Sequence, residues 1–307
     1  MRPDMSGRNG PARFRCSALA ITLMCLLLAG CKPTTAADQM LADASAACST
    51  LATYYEDLAT TTLDSWQNQT VYNVLLKMPA PDGKMYEERL QAFRERANLA
   101  HAAGAAYDRL KQLRDPSGLA KVKTAGNALG QTIQGIGGLP GATKPATDEL
   151  GNAAALLANL QRERDLKRAL KAMGDFNAGI ESLFAEEKRI YLNVDNERTG
   201  TSEHLLEVLA GQKLVNPAAL LQGLRVGLPV SAGTDEKAHD AGLAIAKLSV
   251  ERADLGWQCA TEQTAAMLSS LHGLNRDESA SLRLLEEQTT RANACLKERD
   301  DILKGKP

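Results

Sequence analysis

Four histidines, His101, His204, His239 and His272, are the side chains here best suited to holding a metal or moving a proton near neutral pH. Glu236 and His239 stand three apart, the spacing that sets two ligands on one helix face in carboxylate-bridged di-iron bundles. Such a centre needs two Glu-x-x-His pairs and two further glutamates, and the sequence holds this pair alone. Glu236 therefore reads as an acid at a helix start, where it meets the positive end of the helix dipole. Nucleophilic chemistry has no visible apparatus, since there is no Gly-x-Ser-x-Gly elbow and no Walker A loop. Gly135-Ile136-Gly137-Gly138 lacks the spacing and the preceding strand of a dinucleotide fingerprint. The basic run Arg162, Arg164, Lys167, Arg168 and Lys171 is interleaved with Glu163 and Asp165, which makes it a solvated helix face rather than an anion site. No catalytic motif is found, so the expectation is a protein that is not an enzyme.

His204-Leu205-Leu206-Glu207 precedes an apolar run and Gly211. Over residues 203–212 this resembles the H-x-x-E motif of the imelysin-like helical envelope proteins. The resemblance implies that His204 and Glu207 are metal-binding or haem-related ligands. Taken by themselves, the same residues are a short amphipathic helix with both polar side chains in water.

Arg2, Arg8, Arg13 and Arg15 stand against a single acid, Asp4, and residues 16–28 then carry no charge. That is the basic start and apolar centre of an export signal, too short for the ~20 residues of a membrane-spanning helix. It ends in Leu28-Ala29-Gly30-Cys31, which resembles the lipobox of bacterial lipoproteins. The resemblance implies that the Cys31 thiol takes a diacylglycerol, that the Gly30–Cys31 bond is cut and that the new amine is acylated. Three acyl chains exceed the two signals that stable anchoring requires. In that class Asp after the lipidated Cys favours the inner membrane, and here the residue is Lys32, which points to the outer membrane. The expected organisation is a removed signal at 1–30, a tether at 31–35 and a helical domain at 36–307. The domain would face the periplasm, with surface display as the alternative, and its one attached group would be the lipid on Cys31.

Lys and Arg number 36 against 37 Asp and Glu, a formal charge of −1, which argues against nucleic acid held on a basic face. Loss of residues 1–30 removes four arginines and one aspartate, leaving the remainder mildly acidic. With 4 Phe and 2 Trp among 307 residues, a core must come mainly from Leu and Ala.

Steps of three and four dominate the chain. From Thr35 to Trp66 a seam reads Leu41, Ala44, Cys48, Leu51, Tyr55, Leu58 and Thr62, a helix with one buried stripe. Met78–Gly83 breaks it, and a second helix should follow from Lys84 to Arg114 along Tyr86, Leu90, Phe93, Ala97, Ala100, Gly104 and Tyr107. Glycines weaken residues 119–145, where a weak helix to about Gln134 and a connector both stay open, and 139–145 reads as loop. Gly126-x-x-x-Gly130 there permits close helix contact, but Asn127, Gln131, Thr132 and Gln134 make a lipid-spanning hairpin untenable. Connectors are placed near 115–145 and 225–234. A third helical region should run from Thr147 to Asn193, softened at Met173-Gly174-Asp175 and ended by Thr199-Gly200. Short helices are expected at Ser202–Leu209 and Pro217–Leu224.

Thr234 or Asp235 can cap the next helix, with its seam at Leu243, Ala246, Val250, Ala253, Trp257, Ala260, Thr264, Met267 and Leu271, and Gly273 at its end. Asn275 with Glu278 resembles a capping box ahead of a last helix carrying Leu282, Leu285, Thr289, Ala292, Leu296 and Leu303. No strand-like alternation competes, so the expected fold is all-α, an elongated antiparallel bundle with a C-terminal helical hairpin.

Cys16 and Cys25 leave with the signal and Cys31 is lipidated, so Cys48, Cys259 and Cys295 remain. A hairpin turning at Gly273–Asn275 sets Cys259 and Cys295 at nearly one height, at the edge of the same interface. A bridge there would stabilise the hairpin by about 3–4 kcal/mol in the chain-entropy model. Cys48 lies on its own seam as a small buried hydrophobe. The alternative is that all three are merely small core residues. Together these features lead to a lipid-anchored envelope protein that acts as a non-catalytic helical interaction or scaffold module on an envelope partner. The imelysin-like ligand binder is the second expectation.

Overall fold

The computed structural model describes residues 36–113, 117–139, 148–161, 165–215, 236–274 and 278–304. The chain divides into two compact units, Met1–Gln39 and Met40–Pro307, and the first is described only at residues 36–39. Cys31, Lys32, Arg162, Arg164, Asn275 and the expected helix at 217–224 lie outside the described residues, as do the side chains of Glu236 and His239.

Seven α-helices account for nearly all the described residues, and among them there is no strand. They are α1 Ala36–Leu75, α2 Gly83–Leu110, α3 Gly118–Gln134, α4 Asp148–Ala158, α5 Leu166–Gly211, α6 Glu236–Gly273 and α7 Glu278–Leu303. The fold is an all-α bundle. α1 ends in a left-handed residue, Lys77 at φ 56°, with Met78 N–H donating to Asn73 O at 2.8 Å, a six-to-one closure that a glycine usually makes. Asp82 caps α2 by accepting from Lys84 N–H at 3.0 Å.

Cross-helix bonds fix the directions. Ser45 Oγ donates to Gly104 O, and Trp66 stacks on Tyr86, so α2 returns antiparallel to α1. Tyr55 meets Tyr191 and Asn68 meets Ser202, so α5 runs parallel to α1. Trp257 Nε1 donates to Tyr191 O and Asn177 Nδ2 to Leu271 O, so α6 opposes α5. Gly256 meets Arg299 and Cys259 meets Cys295, so α7 opposes α6 and runs parallel to α1, where Arg299 reaches Thr61. α3 and α4 pack on each other, one against α2 and the other against α5.

All seven predicted α1 seam residues from Leu41 to Thr62 are buried. On α6 the seam is buried from Ala253 to Leu271, whereas Leu243, Ala246 and Val250 are half-buried. Each fully buried Leu, Phe or Trp contributes about 1.5–3 kcal/mol of transfer free energy. Within Gly126-x-x-x-Gly130 it is Gly126 that serves helix packing: a Cβ there would lie 2.6 Å from Ala158 N, so only glycine lets α3 approach α4 this closely, whereas one on Gly130 would make an ordinary contact with Ala154.

Several boundaries differ from the sequence reading. α1 runs nine residues past Trp66, its polar end held by Gln69 bonding Asn73 and by Asn73 bonding Pro79 O. The third helical region is two helices, α4 ending at Ala158 and α5 starting at Leu166, and at Asn159 the side chain competes for the Ala155 carbonyl. α5 continues through Met173-Gly174 and through Thr199-Gly200 to Gly211, absorbing the expected Ser202–Leu209 helix. Gly174 is buried in its packed face, and Thr201 Oγ1 donates to Arg198 O across the second point. Packing outweighs a glycine penalty of about 1 kcal/mol. Leu303, expected on the last seam, is exposed, and one turn earlier the buried residue is Arg299.

Candidate functional site

His204 and Glu207 lie one turn apart near the end of α5, and both are exposed. Glu207 Oε1 accepts from Lys247 Nζ of α6 at 2.5 Å, which holds its carboxyl below the usual range. The His204 ring lies 5.9 Å from that of Tyr72, centroid to centroid. His101 pairs with Glu56 at 3.0 Å and His272 with Glu181 at 2.6 Å, each on the surface between two helices. Lys167, Arg168 and Lys171 are exposed on one stretch of α5, as a solvated face requires. Among the described residues no three His, Cys, Asp or Glu side chains converge as a metal site would need.

Cys259 and Cys295 face each other across the α6–α7 hairpin at disulfide distance, with Cα atoms 5.8 Å apart. Cys48 is a free, buried thiol, and burial pushes it up to about 12, so it is no nucleophile at neutral pH.

Sequence reasoning missed the most unusual feature of the bundle, a ladder of buried charge along one face of α5. Glu187, Tyr191, Asp195 and Arg198 succeed one another on that face and are all buried. At the lower rung Arg96 of α2 and Glu187 form a fully buried pair, 0% and 1% exposed. Arg96 Nε donates to Glu187 Oε2 at 2.6 Å and its Nη2 to Glu187 Oε1, a bidentate pair. The remaining donors reach Ala92 O at 2.9 Å and Gly137 O at 3.3 Å. Burial works to lower the Arg96 pKa, but the bonds and charge of Glu187 outweigh it and hold the guanidinium above its ordinary value. Tyr191 O–H adds a third bond to Glu187, at 2.6 Å.

The upper rung is built from α1, α5, α6 and α7. Asp195 Oδ1 accepts from Arg198 Nε at 2.9 Å and from Arg299 Nη2 at 3.1 Å. Arg299 also donates to Thr61 Oγ1 at 2.6 Å, stands 4.0 Å from Asp57, and lies 4.6 Å above the Trp257 ring. Gly256 makes room for it, since a Cβ there would meet Arg299 Cβ at 3.2 Å. Burial raises the carboxyls of Asp57 and Asp64, and the nearby arginine charges oppose that rise.

Between the rungs sit Tyr54, Tyr55, Phe184, Tyr191 and Trp257, with Tyr54 stacked on Trp257 at 4.6 Å. Tyr54 O–H pairs with Thr261 at 2.9 Å. Burial drives Tyr54, Tyr55 and Tyr191 well above the ordinary tyrosine value, so none ionises near neutrality. Such an arrangement can fix helix register and can hold or release protons. One signal for it was in the sequence: Glu187 and Arg299 fall where the three-and-four spacing calls for an apolar residue. No known protein family, curated protein or solved structure matches the chain.

Proposed function

We propose that this chain is a lipid-anchored cell-envelope protein whose helical bundle acts as a non-catalytic interaction or scaffold module on another envelope component. The observation that carries the reading is the basic start, apolar run and terminal Leu28-Ala29-Gly30-Cys31, in the order a lipoprotein signal requires. Lipid on Cys31 would attach the protein to the membrane, and Lys32 favours the outer membrane with the bundle facing the periplasm. The bundle supports the scaffold part in two ways. Its centre is filled by packed aromatic rings and paired charges, which make a rigid body. Its surface exposes Val71, Val74, Leu76, Met78 and Met85 around the α1–α2 turn, apolar groups of the kind a partner covers.

Expression of the full chain in a diderm host with labelled palmitate tests the reading. Label should enter the wild type and vanish in Cys31→Ala, which should persist as a larger precursor. Absence of label from the wild type, or its persistence in Cys31→Ala, would remove the anchor. Lys32→Asp should move the protein toward the inner membrane on density fractionation.

A further inference from the structure

The upper rung contains two carboxylate oxygens that the protein leaves without a donor. Asp195 is completely buried, and its Oδ2 has no hydrogen-bond partner, although Oδ1 takes two arginines. Asp254, on the facing turn of α6, directs Oδ2 to Gln258 Nε2 at 2.9 Å, while its Oδ1 is buried and also without a partner. One turn beyond the Trp257–Tyr191 bond on each helix, the two carboxyl groups face each other across the α5–α6 seam. Two ionised carboxylates in that position would each lack a donor and would repel. One proton between the two orphan oxygens satisfies both at once.

We propose that Asp195 and Asp254 share a single proton, carried on Asp254 and donated to Asp195 Oδ2, which locks α5 to α6 and is lost as the pH rises. The proton sits on Asp254 because the two carboxyls are not equivalent. Asp195 already accepts from two cationic donors, Arg198 and Arg299, whereas Asp254 has one neutral partner, Gln258. Burial, then the bond to Asp195, then its charge all raise the Asp254 carboxyl, and the Arg198 charge opposes them more weakly. The other charged groups facing this rung are Asp57 and Asp64 of α1 and Arg299 of α7. The acid form is thus the one that fits the fold. A group whose folded pKa is raised adds stability below its unfolded pKa and loses it as pH rises through the folded one. A bundle with this lock is firmest in acid, below the ordinary aspartate value, and loosens at the α5–α6 seam as the pH rises through the raised one.

Asp254→Asn is the test, because an amide donates to Asp195 as the protonated acid does and cannot lose the proton. Thermal midpoints of wild type and variant, followed from about pH 3 to about pH 9, give a difference curve from which Asp57 and Asp64 cancel. The two proteins should match in acid, and the wild type should fall about 2–4 °C below the variant through a one-proton step. A flat difference curve, or a variant weaker than the wild type at alkaline pH, would overturn the proposal. Carbon NMR of aspartate-labelled wild type gives a second measurement independent of the variant's folding. One carboxyl carbon should titrate above the ordinary aspartate range, and titration of every aspartate within that range would overturn the proposal. Added Ca2+ should leave the wild-type midpoint unchanged, and a rise would mean that the pair holds a cation in place of the proton.

Discussion

The two rungs of the ladder use the same kinds of side chain and reach opposite outcomes. Arg96 and Glu187 close on each other: every nitrogen of the guanidinium is bonded, and Glu187 takes three donors. At Asp195 two arginines share one oxygen while the second oxygen and Arg299 Nε are left over. A closed pair in a low-dielectric interior fixes register between α2 and α5 and responds to little. An open cluster spread over four helices keeps a residual demand for a donor, and that demand makes it responsive to its surroundings. Tyr191 stands between the two and bonds downward to Glu187 while its backbone accepts from Trp257, the ring beneath Arg299.

Breaking the closed rung should have the largest effect. Arg96→Leu leaves Glu187 buried without its partner, and a loss of about 3–5 kcal/mol in urea unfolding is expected. Loosening the open rung from outside comes next. Cys259 and Cys295 lie within four residues of Gly256 and Arg299, so a bridge there pins the two helices that hold the cation on Trp257. Non-reducing peptide mapping should recover that pair linked, with Cys48 alkylated only on unfolding. Replacing both with Ser should lower stability by up to about 3–4 kcal/mol, less any strain in the native bridge. Tyr191→Phe removes one charge-assisted bond from Glu187 and should cost about 1.5–3 kcal/mol. Tyr55→Phe deletes only the longer 3.3 Å hydroxyl contact to Tyr191, and about 0.5–1.5 kcal/mol is expected. Lys247→Ala, at the exposed pair with Glu207, should leave the midpoint unchanged and mark the floor of the scale.

Leu and Ala at three-and-four spacing made the bundle legible, because burial of a stripe is what that spacing does. The α1 seam and the opposition of Cys259 to Cys295 follow from it, whereas its glycines leave the helix at Gly118–Gln134 open. The ladder was hidden for the converse reason. Arg96, Glu187 and Arg299 look solvated when each is taken alone, and their charged partners lie 91 or more residues away in sequence. The continuity of α5 through Gly174 and Gly200 was equally illegible, since local glycine propensity is weak against packing of a long face. His204 and Glu207 stood out in sequence and lie on the surface, Glu207 occupied by a lysine.

The contrast between a closed pair and an open cluster is tested most directly by removing both partners of each. In one background Arg96→Met is combined with Glu187→Leu, and in another Arg299→Met with Asp195→Leu, each double variant compared with its singles by equilibrium urea unfolding. The first pair should recover much of the single-variant loss, because no charge is left unpaired. The second should recover little, because Arg198 then remains buried without Asp195. Equal recovery in the two backgrounds, or greater recovery at Asp195, would contradict the account.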